Sequence, residues 1–296
     1  MSARLIDGAA IAATIRSEVA SRTAILRLEG VVPGLAVVLV GEDPPSQIYV
    51  RAKAKACIEA GMHSEVVTLP ADADQSALEA VVDRLNADPR IHGILCQLPL
   101  PPQMDPQPLL RRIDPRKDVD GFHPINVGKL VLGDVTGFKP ATPYGVQQLL
   151  LRSAIETRGA NVVIVGRSNL VGRPLASLLS LPGPGGDATV TVAHSRTRDI
   201  ESVCRTADIL VVAIGRAEFI RASAVKPGAT VIDVGTTRVD DASKARGYRL
   251  AGDVAFDEVR EVAGAITPVP GGVGPMTIAM LLVNTLQAAD LRLDAS

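Results

Sequence analysis

Val162-Val-Ile-Val-Gly-Arg-Ser-Asn-Leu-Val-Gly-Arg-Pro-Leu-Ala-Ser-Leu-Leu179 is the stretch on which the reading of this chain turns. Val162 to Val165 are β-branched and apolar, as in a strand buried on both faces. The run stops at Gly166. After a polar turn an apolar-periodic helix begins near Gly172, with Pro174 in its first turn. Strand, glycine turn and helix start form the cradle in which a pyrophosphate rests on backbone N–H groups and the positive helix end. The spacing departs from G-x-G-x-x-G, because Ser168 stands where the second glycine would be. Two glycines at such a junction are weak evidence alone, since many strand–turn–helix junctions carry them and bind nothing.

The 296 residues suffice for one large or two ordinary domains, and 47% of them are hydrophobic. With 31 basic and 32 acidic residues, no general field attracts nucleic acid or an anionic membrane. Aromatics are 2% and Trp is absent, which argues against base-stacking platforms. Cys57, Cys96 and Cys204 are widely separated, and His92, His123 and His194 show no ligand spacing, so no metal is expected. No secretory signal is seen, and the apolar run Ile278 to Val283 is too short to span a bilayer. The expectation is a soluble, cytoplasmic protein.

Outward from the cradle, helix alternates with strand, which predicts parallel α/β sheets. In the first half the reading is a helix over 8–27, strands over 34–41, 64–69 and 91–99, and a helix over 75–88. Another helix runs from an N-cap at Ser46 to Gly61. A long irregular section follows from Pro99 to about Thr142, and a helix over 144–151 bridges to the second half. There the strands are 162–165, 189–193, 209–214 and 230–234. A Pro/Gly loop over 265–277 then feeds a last helix over 276–291.

Within the helix after Ser46, Arg51, Lys55 and Glu59 recur every four residues and form one solvated face. Lys53 lies about 200° round the helix from Arg51 and from Lys55. That places it on the inward stripe with Tyr49, Ala52, Ala56, Cys57 and Ala60. A lysine there is either at a site or snorkelling past the helix edge. Tyr49, one turn earlier on that side, tips the balance towards a site. A partly buried lysine has its pKa lowered and can exchange protons near neutral pH. Gln97 is the polar residue near the carboxyl end of an apolar strand, where α/β ligands bind, although a satisfied core amide reads the same way. Asp118 and Asp120 follow in the long loop, and either could simply bond its own turn. Cys96 reads as core packing. At the end of the second nucleotide-domain strand, where an NAD-specific fold carries an acid, Val192-Ala-His-Ser-Arg-Thr197 has none. Ser195 and Arg196, with Arg167 in the first turn, suit a 2′-phosphate and favour NADP, the alternative being ordinary surface arginines.

Together these residues resemble the bifunctional methylenetetrahydrofolate dehydrogenase/cyclohydrolase family over nearly the whole chain. Ser46-x-x-Tyr49-x-x-x-Lys53 resembles its catalytic helix, Gln97-Leu-Pro-Leu-Pro101 its substrate strand, and Lys117-Asp-Val-Asp-Gly121 its pterin loop. Gly166-Arg-Ser-x-x-Val-Gly172 resembles the cofactor loop, and Thr267-Pro-Val-Pro-Gly-Gly-Val-Gly-Pro-Met-Thr277 the most distinctive signature. Ala141 stands where many relatives have cysteine, Cys96 where an aliphatic residue is usual, and Thr236-Thr237 where Ile-Asn is frequent.

The resemblance implies two α/β domains with a cleft between them. Residues 1–141, completed by a C-terminal segment 268–296, would bind folate, and residues 142–267 would be a Rossmann-type NADP domain. It implies Lys53, Tyr49, Gln97 and Asp120 as catalytic residues. Ser46, Tyr49, Asp120, Pro268, Gly271 and Gly272 would bind substrate. Gly166, Arg167, Ser168, Gly172, Ser195, Arg196 and Thr236 would bind the cofactor. The implied reactions are oxidation of 5,10-methylenetetrahydrofolate to the methenyl cation with NADP, then hydrolysis to 10-formyltetrahydrofolate. The implied setting is one-carbon metabolism and purine biosynthesis, in a homodimer with tetrahydrofolate derivatives as partners. Two rivals are an NADP-dependent dehydrogenase of a small hydroxy acid and a non-catalytic dinucleotide-binding regulator. The first would be expected to use a cationic clamp in place of Asp120, and the second needs neither Lys53 nor Asp120.

Overall fold

The computed structural model describes residues 2–244 and 247–293, the side chains of residues 292 and 293 excepted. Met1 and residues 294–296, the ends of the expected first domain, lie outside them. The first half of the chain gives β1 (Arg4–Leu5), α1 (Gly8–Leu28), β2 (Gly34–Val40), α2 (Pro44–Glu59), β3 (His63–Leu69), α3 (Gln75–Ala87) and β4 (Gly93–Cys96). Then come α4 (Pro106–Arg112), α5 (Pro124–Leu132), α6 (Ala141–Arg152), β5 (Asn161–Val165), α7 (Gly172–Ser180), β6 (Thr189–Ala193), α8 (Ile200–Cys204) and β7 (Ile209–Val212). The last part is β8 (Thr230–Asp233), β9 (Thr237–Asp240), β10 (Tyr248–Ala251), α9 (Phe256–Val259), β11 (Ala265–Ile266) and α10 (Val273–Leu293). No helix among the described residues is long and apolar enough to cross a membrane.

The chain divides into two compact units, residues 13–141 with 278–296, and residues 1–12 with 142–277. In the first, three parallel strands run in the order β3-β2-β4. All seven residues of β2 are buried, as a central strand covered on both faces requires. Val38, Leu78, Val82, Leu85, Ile94 and Leu109 pack one core of this unit.

In the second unit the order is β1-β11-β8-β7-β5-β6, every pairing parallel. Hairpin β9–β10 stands apart from that sheet as an antiparallel pair. Here the structure differs from the expected division at two places. Residues 1–12 belong with the nucleotide-domain half because β1 is its edge strand, with Arg4 opposite Ala265 and Leu5 opposite Ile266. Residues 268–277 belong there too, and the Ala9 N–H donates to the Gly271 carbonyl (2.9 Å).

The section between Pro99 and Thr142 is not irregular throughout, since it holds α4 and α5. Each opens on a proline at the first helical position. Asp105 and His123 cap them, accepting from the Gln107 N–H and the Ile125 N–H. Ser46 is not an N-cap either. Asp43 caps α2 by accepting the Ser46 N–H (2.9 Å), and Pro44 and Pro45 occupy the first turn, leaving Ser46 inside the helix and buried.

Candidate active site

In the first unit, the buried positions of α2 are Ser46, Val50, Lys53, Ala56 and Cys57, a stripe at helical spacing. Lys53 is 8% exposed, the inward placement that the periodicity predicts. Tyr49 is not on that stripe: it is 43% exposed, on the flank one turn before Lys53. The Lys53 ammonium donates to Gln97 Oε1 (3.0 Å), and Gln97 Nε2 donates to the Leu98 carbonyl (2.7 Å). Because an ammonium can only donate, this pairing settles which end of the amide faces Lys53. Gln97 stands one residue past β4, its N–H bonded to the Val38 carbonyl of β2 (2.8 Å), so the sheet itself sets its place. Burial pushes the Lys53 pKa down from its ordinary value, and the Asp120 charge partly offsets that fall.

Asp118 and Asp120, indistinguishable as loop acids in the sequence, part company here. Asp118 is buried and builds its own loop. It accepts the N–H groups of Phe122 (3.2 Å) and His123 (2.8 Å) and the amide of Asn126 (2.8 Å). Burial still dominates and raises its carboxyl to about 7. Among the described residues no protein hydrogen bond reaches the Asp120 carboxylate. Its pKa is raised by burial and pulled back by Lys53. Cys96 feels the same carboxylate, and burial with that charge pushes its thiol up to about 12, which disfavours the thiolate near neutral pH. Lys53, Gln97 and Asp120 thus form one cluster at the carboxyl end of β4.

Lys117 anchors the loop from one side. Its buried ammonium donates to the carbonyls of Leu85 (2.9 Å), Asn86 (2.7 Å) and Asp88 (2.8 Å), ending α3. From the other side, Asn284 of α10 donates to the Val119 (2.7 Å) and Lys139 (2.8 Å) carbonyls. Neither anchor was singled out from the sequence, because only the fold brings those carbonyls together.

In the second unit, β5 runs into α7 as the opening stretch predicts. A Cβ on Gly166, whose φ is +132°, would run into the Ala213 carbonyl, and one on Gly172 would run into the Gly166 carbonyl. The two glycines therefore let strand end, turn and helix start close onto one another. A cavity of about 310 Å³ opens there, lined among others by Gly166, Arg167, Ser168, Ser195, Arg216 and Phe219. Arg196 and Thr236 are not among its lining residues. The Arg196 N–H donates to His194 Nδ1 (3.1 Å), and Thr236 is exposed just beyond Gly235. Arg216 was missed, although it follows β7, the strand beside β5, at the carboxyl end where α/β ligands bind. Pro268, Gly271 and Gly272 lie between β11 and α10. Pro268 lines a second cavity of about 410 Å³ with Asp233 and Gly252. Among the described residues no three or more His, Cys, Asp or Glu side chains are grouped to hold a metal ion.

A parallel sheet with a glycine-closed strand–helix junction over a cation-lined cavity, joined in one chain to a unit with a buried lysine site, defines a dinucleotide-dependent α/β enzyme. Residues 6–120 match the tetrahydrofolate dehydrogenase/cyclohydrolase catalytic domain, and residues 140–293 match the NAD(P)-binding domain of the same family. The chain belongs to the tetrahydrofolate dehydrogenase/cyclohydrolase family, and it is a bifunctional enzyme of that family. It is 57% identical to bifunctional protein FolD 1 of Myxococcus xanthus, over 97% of this chain and 98% of that protein. It is 58% identical to bifunctional protein FolD of Acidiphilium cryptum, over 99% and 100%. The solved Trypanosoma brucei methylenetetrahydrofolate dehydrogenase-cyclohydrolase, complexed with NADP cofactor and inhibitor, superposes with a TM-score of 0.93. It is 45% identical, with 99% of each chain covered. The family assignment supersedes both the hydroxy-acid dehydrogenase and the non-catalytic regulator.

Proposed function

We propose that this enzyme oxidises 5,10-methylenetetrahydrofolate with NADP and hydrolyses the methenyl product to 10-formyltetrahydrofolate, with Lys53 as the proton-transfer group. The observation that carries the assignment of Lys53 is its buried ammonium, 3.0 Å from Gln97 Oε1 and electrostatically coupled to Asp120. Bound NADP supplies the hydride acceptor. The glycine-closed junction of β5 and α7 fits it, since a Cβ at Gly166 or Gly172 would run into the Ala213 or Gly166 carbonyl and keep strand end and helix start from closing into the kind of cradle that a pyrophosphate takes. Arg167 and Ser195, which line the same cavity, would bind the 2′-phosphate. Arg196 and Thr236 would have to meet the cofactor at its margin.

The chemistry of the second reaction sets the demand on Lys53. Water must lose a proton as it adds to the methenyl carbon; as the ring opens, the adduct's hydroxyl gives up its proton in becoming the formyl carbonyl and a ring nitrogen gains one, so that one proton is released overall. Burial lowers the Lys53 pKa, so its neutral form is easier to reach than that of a free lysine, and the neutral amine can take a proton from water and return it to the ring nitrogen. Gln97 holds the amine in place, and Tyr49, half exposed one turn before Lys53, would meet the substrate from the open side. Asp120, free of protein donors, accepts from the pterin amine and ring N–H, a charge-assisted pairing that also sets orientation. Ser46, Pro268, Gly271 and Gly272 would complete the substrate contacts.

By the same reading, the unit of residues 13–141 with 278–296 takes the folate and the unit of residues 1–12 with 142–277 takes NADP. The enzyme is a cytoplasmic homodimer serving purine biosynthesis. Following NADPH formation from methylenetetrahydrofolate, and separately the decay of added methenyltetrahydrofolate, tests the two activities. Absence of either above the spontaneous rate refutes that half of the assignment.

A further inference from the structure

Asp253 is wholly buried and has no place in the sequence reading. Its carboxylate gathers three successive peptide N–H groups. Oδ2 accepts from Ile214 (2.7 Å) and Gly215 (3.0 Å), and Oδ1 accepts from Arg216 (2.7 Å). These residues form the turn leaving β7, and Ile214 and Arg216 line the 310 Å³ cavity beside Gly166. Within that wall the Arg216 guanidinium lies over the Phe219 ring, 4.5 Å from its centre.

The clasp is held from behind. The Asp253 N–H donates to Asp233 Oδ1 (2.9 Å) and the Val254 N–H to Asp233 Oδ2 (2.9 Å). The Asp233 N–H in turn donates to Thr267 Oγ1 (2.8 Å). Past the turn, the Glu218 N–H reaches the Gly252 carbonyl (2.9 Å) and the Ile220 N–H the Asp253 carbonyl (3.0 Å). A carboxylate meeting several backbone donors makes charge-assisted bonds, each stronger than a neutral one. Without it, a turn containing Gly215 at φ +69° would sample other shapes, and ordering it on binding would cost affinity.

We infer that Asp253 is a positioning residue of the dinucleotide site: its carboxylate holds the Ile214–Arg216 turn in the shape that completes the cavity. This rests on the reading that the cavity takes NADP. Asp253 touches no ligand and acts through the turn.

The first measurement uses the unaltered enzyme. In native-state hydrogen exchange without nucleotide, the amides of residues 214–216 should be protected like those of β7, and exchange at free-loop rates overturns the inference. The second compares wild type with Asp253→Asn, which keeps one acceptor but sets an NH₂ group against the remaining donors. The expected result is faster exchange at 214–216, an NADP Kd and KM raised tenfold or more, and a dehydrogenase kcat at saturating NADP within about threefold of wild type. Should the asparagine variant not fold, Asp253→Glu, with the carboxylate displaced by one methylene, makes the same comparison. Unchanged NADP affinity in a folded variant, or a fall in kcat with KM unchanged, overturns the inference and leaves the proposed function standing. A wild-type enzyme that binds no NADP overturns both.

Discussion

Replacing Lys53 by glutamine removes a charge and a proton donor while keeping much of the length and hydrogen-bonding capacity. Hydride transfer from the methylene carbon moves no proton in its chemical step, whereas hydrolysis of the methenyl cation takes two protons from water and gives one to a ring nitrogen. General acid/base catalysis contributes about 10²–10⁴-fold to such steps, and that is the expected loss of cyclohydrolase activity in Lys53→Gln. The dehydrogenase loses only positioning. The 3.0 Å bond from the ammonium to Gln97 is charge-assisted, a class worth about 1.5–3 kcal/mol. Complete loss would cost roughly 10- to 150-fold, and glutamine retains part of it. A second effect follows from the coupling to Asp120. Lys53 pulls the Asp120 pKa down against burial, so without the ammonium that pKa rises further. If ionised Asp120 holds the pterin, folate binding is lost as pH falls through the Asp120 pKa, and in the variant this loss begins at higher pH. The assay follows NADPH formation and methenyltetrahydrofolate decay on one folded preparation across pH. A variant that keeps the cyclohydrolase while losing the dehydrogenase would refute the assignment of Lys53 as the proton-transfer group.

Three further outcomes are expected. If Arg167 and Ser195 bind a 2′-phosphate, kcat/KM should favour NADP over NAD, and losing one charge-assisted bond should cost about tenfold or more; equal values for the two cofactors would remove the assignment. Asp120→Ala should strip folate affinity and leave NADP binding intact in calorimetric titrations, whereas unchanged folate affinity would mean that Asp120 only shapes its loop. Asp118 binds its proton more tightly folded, at about 7, than unfolded, at 3.8. Its stabilisation is therefore full below the unfolded value and lost as pH rises through about 7, a swing on the order of 4 kcal/mol by linkage. Urea unfolding of Asp118→Asn from pH 4 to 8 should show a flatter dependence than wild type, and parallel curves would contradict the raised pKa.

Much of the site was legible because it rests on local periodicity. An apolar run, a glycine turn and a helix start are neighbours in sequence, so β5 and α7 were readable, and the inward face of Lys53 follows from 3.6 residues per turn. Short elements were not readable in the same way. The α4 and α5 helices have seven and nine residues, too few for a clear period, although Asp105-Pro106 and His123-Pro124 carried capping signals. Ser46 reads as the cap because two prolines separate it from Asp43. They occupy the first turn, where a missing N–H costs nothing.

What the sequence by itself determined is the alternation of strands and helices, the glycine cradle and the lysine stripe, each set by residues within a turn or two of one another. The resemblance singled out Asp120, but only the tertiary structure gave the physical reason that separates it from Asp118, since among the described residues Asp118 meets donors from the start of α5 and Asp120 meets no protein donor. Only it made β11 a strand, two residues given identity by β8 and β1 on either side, and drew Arg4 and Leu5 into that sheet. It alone placed Asp253 against residues 214–216, nearly forty positions away. A buried carboxylate must find its donors wherever the fold leaves N–H groups unpaired, and no local pattern records where that is.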